Sequence, residues 1–220
     1  MPEIIDLTLP VKKHWRWMFS RTVDRDYTSG GPLREEVLYM TVHSFTHIDP
    51  PSHAYAGQKT IDQVPLADLI GVARVLDLSH KEPNTEITGD DLERTGKQVG
   101  RDDIVIIKTC QGRKQSLETP EFWTTSPFAG ESAGRWLVER GIKAAAFDFP
   151  QDYSLRRFFL GDIPTLDEMI VHKMLLGAGI IQIEYITNTH LLSEDSVQFF
   201  AIPLRLEGAS GSPARVFVIR

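Results

Sequence analysis

Residues 37–55 read VLYMTVHSFTHIDPPSHAY, and this stretch decides how the chain is interpreted. The β-branched and aromatic residues at its start predict a strand over 36–43, in which side chains alternate between two faces. One face of such an extended segment would carry His43, Phe45, His47 and Asp49. A helix would not group them, because position i+6 lies on its far side and a residue before proline avoids the helical region. We therefore expect two imidazoles and a carboxylate to converge on one side of an extended segment.

The Pro50-Pro51 pair that follows predicts a rigid turn that returns His53 toward the same point. Two neutral imidazoles and a carboxylate, with coordination positions left open, favour a catalytic Zn²⁺ or Mn²⁺ over a closed structural site. Structural zinc sites in intracellular proteins rely on thiolates, and this chain has one cysteine. The alternative interpretation is a chance run of surface histidines beside a turn.

A second candidate pair lies downstream, at His172 and Glu184. Thr165 and Glu168 form a capping-box pattern that predicts a helix over 166–176, ending at Gly177. Its apolar face would carry Leu166, Ile170 and Met174, with His172 pointing away from it. A histidine near a helix C-terminus is often only a favourable charge on the helix dipole. Glu184, however, lies among apolar strand residues in IIQIEYI, where a carboxylate requires a partner.

The remaining elements are read from hydrophobic pattern and turn residues. Further strands are predicted over 72–78, 103–109, 143–149, 180–186, 197–206 and 214–219. The last two flank EGASGSP, which is typical of a hairpin connection. Helices are predicted over 131–140, ending at Gly141, and over 89–95. Residues 12–34 predict a long loop, and the whole pattern indicates an α/β or α+β domain with a mixed sheet.

Composition limits the classes of function. Hydrophobic residues make up 41% and charged residues 25% of 220 residues, as in an ordered globular protein. The formal net charge is −6 without a basic stripe, which argues against nucleic acid as a partner. Cys110 alone cannot form an intrachain disulfide, and neither a signal-peptide pattern nor a membrane-length apolar run is present. We expect a cytoplasmic protein that does not bind membranes.

The segment from His43 to His53 resembles the signature His-x-Gly-Thr-His-x-Asp-x-Pro-x-His of the cyclase-like metal-dependent hydrolases. That family includes bacterial kynurenine formamidases (arylformamidases) and isatin hydrolases. The resemblance extends to IIDLTLPV near the start, to ESAGRWLVERGIKAAAFDFP, and to HKMLLGAGIIQIEYITNTHLL, where the step from His172 to Glu184 matches the family spacing. It implies one compact α/β domain over 1–220, with a mixed, barrel-like sheet flanked by helices (the cyclase-like swivelling β/β/α fold).

The resemblance also implies roles for individual residues. His43, His47 and Asp49 would hold one divalent ion, and His172 and Glu184 would complete a second site bridged by Asp49. His53 would be the general base, and Trp17 would line the substrate pocket. The implied cofactor is one or two Zn²⁺ or Mn²⁺ ions, and the implied assembly is a homodimer or homotetramer.

The chain departs from the family pattern around the expected pocket. Phe45 replaces the motif glycine, Ala54 stands where phenylalanine is common, and the usual Thr-Gly-Trp and Trp-Pro-Gly segments are not reproduced. We expect Phe45 to make the wall beside the metal bulkier and to contact the substrate. Trp15, Trp17, Phe19 and Phe45 could line a pocket for a planar ring, or could be ordinary core or subunit-contact aromatics.

The expected function is hydrolysis of a C–N bond in a small amide, formamide or cyclic lactam, most simply an aryl one. Metal-activated water would attack the carbonyl carbon, and His53 would move the proton. Three alternatives remain: a cyclase or dehydratase using the same ion, a lactone hydrolase, and a catalytically idle metal- or small-molecule-binding module. A serine nucleophile is disfavoured because the chain lacks a Gly-x-Ser-x-Gly elbow.

Overall fold

The computed structural model describes residues 2–220, leaving aside the side chains of residues 159 and 160. The described chain forms twelve strands and five α-helices joined by loops and short 3₁₀ turns. The strands are β1 (Ile4–Asp6), β2 (Phe19–Arg25), β3 (Glu35–Met40), β4 (His47–Asp49), β5 (Ile70–Asp77), β6 (Glu86–Ile87), β7 (Ile104–Lys108), β8 (Phe128–Ala129), β9 (Ala144–Phe147), β10 (Ile181–Glu184), β11 (Ser196–Pro203) and β12 (Ser212–Ile219). The helices are α1 (Gly89–Thr95), α2 (Gln111–Lys114), α3 (Glu121–Thr124), α4 (Glu131–Arg140) and α5 (Ile170–Gly177).

A closed mixed sheet forms the centre of the molecule. Its strands follow the order β12, β11, β5, β7, β9, β10 and β4, and β4 pairs again with β12, while β1 extends the sheet beside β12. The neighbours β5, β7, β9 and β10 run parallel, and the other pairs in the sheet are antiparallel. The barrel-like mixed sheet and flanking helices implied by the family resemblance are therefore confirmed.

Alternating side chains divide the apolar residues into two layers. Along β7, Ile104 and Ile106 point into a cluster shared with the other barrel strands. Val105 and Ile107 point the opposite way, toward residues of α1, α4 and α5. Because both faces of β7 are covered, its first four residues form a continuous apolar run, as in parallel strands that are buried on both sides.

Most of the predicted elements are confirmed, with ends that shift by a few residues. The six strands predicted after residue 70 correspond to β5, β7, β9, β10, β11 and β12, and the last two form the predicted hairpin. Helices α1 and α4 coincide with the predicted 89–95 and 131–140. Gly141 ends α4 at a φ of 65°, the left-handed conformation that glycine adopts without steric cost.

Two predictions around the site segment are wrong. The strand predicted over 36–43 ends at Met40, and residues 41–46 form turns and bends before the short strand β4 begins at His47. Residues 12–34 are not all loop, because β2 pairs antiparallel with β3 in a two-stranded ribbon. The residues predicted to form a strand leading to His43 thus belong to this ribbon, and His43 lies beyond the end of β3.

The helix predicted over 166–176 begins later, at Ile170. Glu168 does accept a hydrogen bond from the backbone N–H of Thr165, but this closes a separate turn. The backbone N–H of Val171 is capped instead by Asp152 from a distant loop. With that start, the buried face carries Val171, His172 and Leu175, so the prediction that His172 points away from the core is wrong.

Candidate metal centre

Two neighbouring strands provide the base of the candidate site. Strand β4 pairs antiparallel with β10, so that His47 lies opposite Glu184 and Asp49 lies opposite Gln182. Alternation then places these polar side chains on one face, while Ile48 and Ile183 enter the barrel core on the other. His47, Asp49 and Glu184 are all at least 95% buried. The predicted grouping of His47 with Asp49 thus follows from strand parity.

His43 and His53 approach from the turns on either side of β4. His43 lies in the turn before the strand, where its ring faces Gly211 so closely that a Cβ there would stand 2.5 Å from the imidazole. His53 ends the 3₁₀ turn Pro51–His53 that follows Pro50. Their ring centroids are 3.9 Å apart, so the proline turn does return His53 to the site.

His172 enters from helix α5 and is held by Asp152. The buried Asp152 carboxylate accepts hydrogen bonds from the backbone N–H groups of Val171 and His172, and lies 2.6 Å from Nδ1 of His172. This contact leaves Nε2 of His172 directed at Glu184, at 2.9 Å from Oε1. A carboxylate that fixes the ring of a metal-binding histidine in this way is common in metal sites.

The six side chains form overlapping groups around Asp49. Ligand atoms of His43, Asp49 and His53 lie within 4.8 Å of one another, and those of His47, Asp49 and Glu184 form a second such group. Oδ1 of Asp49 is 2.7 Å from Nδ1 of His43 and 3.4 Å from Nε2 of His47, and Oδ2 is 3.9 Å from Nε2 of His172. Asp49 therefore lies between the two groups.

Burial and the two carboxylates shift the pKa values of the site strongly. Burial lowers the pKa of His47, but the charges of Asp49 and Glu184 outweigh it and raise the value to about 9. The pKa of His172 is also raised well above its usual value, because the Glu184 and Asp152 carboxylates outweigh burial. Burial lowers the pKa of His53 to about 4, against the attraction of Asp49. His53 is thus neutral at physiological pH, while His47 and His172 carry protons that balance the buried carboxylates.

The donor set fits a divalent ion. Two carboxylates and four imidazoles converge without a thiolate, and nitrogen and oxygen donors of this kind suit Zn²⁺ and Mn²⁺. Oδ2 of Asp49 is buried and lacks a hydrogen-bond partner among the described residues, which is costly unless another group satisfies it. Nδ1 of His47 faces the carbonyl oxygen of Phe45 at 2.8 Å, so the N–H tautomer there leaves Nε2 free to coordinate.

A cavity of about 560 Å³ opens onto this cluster. All five predicted ligands, the predicted base His53 and the predicted pocket residue Trp17 line it, together with Trp15 and Tyr185. Phe45 does not: its ring packs against Trp17, with centroids 4.7 Å apart, and lines a neighbouring cavity of about 430 Å³. The structure thus places Phe45 behind Trp17 rather than beside the ligands.

Several residues around the site were not predicted from the sequence. No sequence pattern pointed to Asp152, because its partner in α5, His172, lies twenty positions away. Gln182 could have been found, because it shares strand parity with Glu184; its Oε1 accepts a hydrogen bond from Gln151, which also donates to Glu184. Arg16 lines the cavity, and the buried Trp123 packs against Trp17 and Tyr185.

Curated relatives match the chain over most of its length. A kynurenine formamidase of Salinibacter ruber is 26% identical over 202 residues, which is 91% of this chain and 84% of the relative. A kynurenine formamidase of Bacillus thuringiensis is 28% identical over 203 residues, covering 91% of this chain and 87% of the relative.

Solved structures and a family model complete the comparison. A structure described as a potential metal-dependent hydrolase with cyclase activity superposes with a TM-score of 0.75, 27% identity and coverage of 100% of this chain and 98% of the other. Isatin hydrolase A of Labrenzia aggregata superposes with a TM-score of 0.81 at 21% identity, covering 99% and 93%, which shows a shared fold. The family model Cyclase, described as "Putative cyclase", matches residues 5–151. Since that match spans more than half of the chain, the chain belongs to the Cyclase family.

Proposed function

We propose that this protein is a metal-dependent hydrolase that cleaves the C–N bond of a small aryl amide, formamide or cyclic lactam. The observation that carries the proposal is the convergence of four imidazoles and two carboxylates on one aromatic-lined cavity of about 560 Å³. Relatives named kynurenine formamidase, which align with 91% of the chain, support a hydrolase of non-peptide amides.

The proposed ligands are His43, His47, Asp49, His172 and Glu184, for one or two Zn²⁺ or Mn²⁺ ions. The position of Asp49 between two groups of donors supports adjacent sites that share its carboxylate. A divalent ion held there would supply Lewis acidity toward a carbonyl oxygen and acidify water.

We assign the proton transfer to His53. Its ring is neutral at physiological pH, lines the cavity, and lies beside His43 at the edge of the donor cluster. It can accept the proton of the attacking water and return it to the leaving nitrogen. Trp15, which is 44% exposed, offers an aromatic ring against which a ring of the substrate can pack, and Trp17 lines the same cavity.

Metal removal tests the reaction class. Chelation followed by dialysis is expected to abolish hydrolysis of aryl formamides, and Zn²⁺ or Mn²⁺ is expected to restore it. Unchanged turnover in protein shown by elemental analysis to be metal-free would contradict the proposal.

A substitution tests the base. His53→Ala is expected to keep metal content near wild type and to lower turnover by roughly 10²–10⁴-fold. The exposed His80→Ala is the matched control and should change neither quantity. Loss of metal from His53→Ala would instead identify His53 as a ligand.

A ring-closing reaction at the same site is the second candidate. It is favoured by the structural relative described as a metal-dependent hydrolase with cyclase activity, which is 27% identical to this chain. A panel of aryl formamides, isatin-like lactams and lactones, incubated with metal-loaded protein, separates the two candidates. Condensation without hydrolysis would favour cyclisation.

We also propose that the protein is a cytoplasmic homo-oligomer whose subunits meet at the β2–β3 ribbon. The described chain holds no helix long and apolar enough to cross a membrane.

Both faces of the β2–β3 ribbon are exposed, and the side chains of Val37, Leu38 and Tyr39 are each more than half accessible. A two-stranded ribbon alone is only marginally stable in water. Its cross-strand pairs Arg21–Glu36 and Arg25–Glu35 offer both charge signs, which suits contact with a second copy around a two-fold axis.

Light scattering tests the assembly. Leu38→Glu is expected to lower the measured mass toward that of one chain, while Ile163→Glu, at an exposed site outside the ribbon, should not. A single-chain mass for the wild type would contradict this proposal and leave the assignment of the active site untouched.

A further inference from the structure

Arg16 stands out among the residues that line the candidate active site. The lining contains the two carboxylates of Asp49 and Glu184, several histidines and several aromatic rings. Among the described residues that line it, Arg16 is the one lysine or arginine. The proposed hydrolysis gives this cation no role, although a fixed positive charge in a substrate pocket is well suited to an anionic group.

The guanidinium is held between aromatic side chains. Its central carbon lies 5.0 Å from the ring centroid of Trp123 and 5.5 Å from that of Phe158. Its charge also acts on the buried Tyr185 hydroxyl, where it opposes the rise in pKa that burial causes. The aromatic contacts hold a planar cation at the cavity wall, and the forked N–H donors of a guanidinium suit a carboxylate.

Tyr185 connects the donor cluster to the aromatic side chains around Arg16. Its ring stacks against the imidazole of His47, with centroids 5.9 Å apart and planes at 26°. Its hydroxyl accepts a hydrogen bond from Nε1 of Trp123 at 3.2 Å, and the Arg16 guanidinium lies over the ring of that tryptophan. Tyr185 and Trp123 therefore link Arg16 to the donor cluster through aromatic contacts.

We propose that Arg16 binds a carboxylate carried by the substrate, so that the preferred substrates are anionic aryl amides. This inference rests on the proposed function. An aromatic ring beside Tyr185 and the cavity tryptophans would present its amide carbonyl to the donor cluster and its carboxylate to Arg16. Charge-assisted hydrogen bonds to a carboxylate would then select such substrates over neutral analogues of the same size.

The competing explanation is structural. Arg16 could serve only to fasten residues 12–18 against Trp123 by stacking. In that case, its replacement would disturb neutral and anionic ligands alike, because the change would act through the position of Trp15 and Trp17. The ratio between the two ligand classes therefore separates the explanations.

Kinetics on metal-loaded protein test the proposal, with 2-formamidobenzoate and formanilide as the anionic and neutral substrates. Arg16→Gln is expected to lower kcat/KM for 2-formamidobenzoate about 10–100-fold more than for formanilide, as loss of a charge-assisted hydrogen bond requires. Arg16→Lys, which keeps the charge without the fork, should fall between wild type and Arg16→Gln. Arg113→Gln removes an exposed charge beside the neighbouring cavity and should leave the ratio unchanged.

Binding of the amine products provides a second readout. Anthranilate is expected to bind Arg16→Gln at least about tenfold more weakly than wild type, with a much smaller change for aniline. Equal losses for both ligands, or an equal effect of Arg113→Gln, would overturn the proposal. If wild-type protein hydrolyses neither formamide, the proposed function fails, while anthranilate binding still decides the role of Arg16.

Discussion

Phe45 adopts a backbone conformation that usually belongs to glycine. Its φ is 57°, and it stands where the cyclase-like signature has glycine. A left-handed conformation costs a residue with a Cβ about 1–2 kcal/mol. The buried contacts of the phenyl ring with Trp17 offset this strain.

The first prediction compares two truncations of Phe45. Both Phe45→Ala and Phe45→Gly lose the buried ring, at a cost of about 3–5 kcal/mol. Because glycine adopts the positive φ freely, we expect Phe45→Gly to be the more stable of the two by about 1 kcal/mol in urea denaturation. The same pair at the buried Phe122 in helix α3 is the control, and there alanine should be the more stable. Greater stability of Phe45→Ala would show that the backbone is not strained at this position.

The second prediction concerns His47 and the pH dependence of metal binding. With a pKa of about 9, the metal-free ring carries a proton at pH 7 that an ion must displace, whereas His53, with a pKa of about 4, has none to lose. Metal affinity should therefore rise with pH up to at least about 9. Calorimetric titration in buffers of different ionisation enthalpy should show release of at least one proton per ion at pH 7. A binding heat independent of buffer would contradict the assignment.

At the residue scale, the sequence predicts donors better than it predicts their surroundings. His47 and Asp49 are grouped by strand alternation and His53 by the proline turn, whereas His43 reaches the site from a turn that replaces the predicted strand. The site partners of His172 cannot be found this way, because Asp152 and Glu184 approach it from other elements. Phe45 lies outside the cavity lining and has a left-handed backbone, and strand alternation predicts neither feature.

Helix α5 connects the stability of an element to the geometry of the site. Asp152 accepts the N–H groups of Val171 and His172 at the start of the helix, and the same carboxylate holds the His172 ring. One side chain therefore acts as a helix cap and as a positioning residue.

The third prediction separates these two roles. Asp152→Ala should lower the free energy of unfolding by about 0.5–2 kcal/mol through loss of the cap, and should lower metal affinity about 10–100-fold through His172. Thr88→Ala is the matched control, because Thr88 caps α1 away from the metal centre. It should show a similar loss of stability with unchanged metal affinity in calorimetry. If the two variants bind metal equally well, Asp152 is only a cap.

At the element scale, buried strands were predictable and the β2–β3 ribbon was not. Strands such as β7 have apolar residues on both faces, so their pattern alone identifies them. The ribbon and the short strand β4 depend on their pairing partners. Strand β4 has only three residues, and it is a strand because it pairs with β10 and β12. A pattern over 36–43 could therefore not show where one strand ends and the next begins.

At the scale of the whole molecule, the donors come from three separate segments. Strand β4 and the turns beside it carry His43, His47, Asp49 and His53, while α5 carries His172 and β10 carries Glu184. Strand β4 also closes the barrel, since it bridges β10 and β12. The pairing of β4 thus both closes the barrel and positions the ligands, and no single stretch of sequence could predict this pairing.

The fourth prediction follows from this coupling. An ion bound by β4, α5 and β10 links the strand that closes the barrel to its neighbours, and the unfolded chain cannot bring these donors together. Binding to the folded state alone stabilises it by about 2.7 kcal/mol at an ion concentration one hundred times Kd, or roughly 5–10 °C in Tm for a domain of this size. Thermal denaturation with and without Zn²⁺ measures the shift, and Glu184→Gln should reduce it by removing a ligand across the β4–β10 pair. An equal shift in Glu184→Gln would mean that the ion binds elsewhere, because loss of a buried ligand weakens only the site to which that ligand belongs.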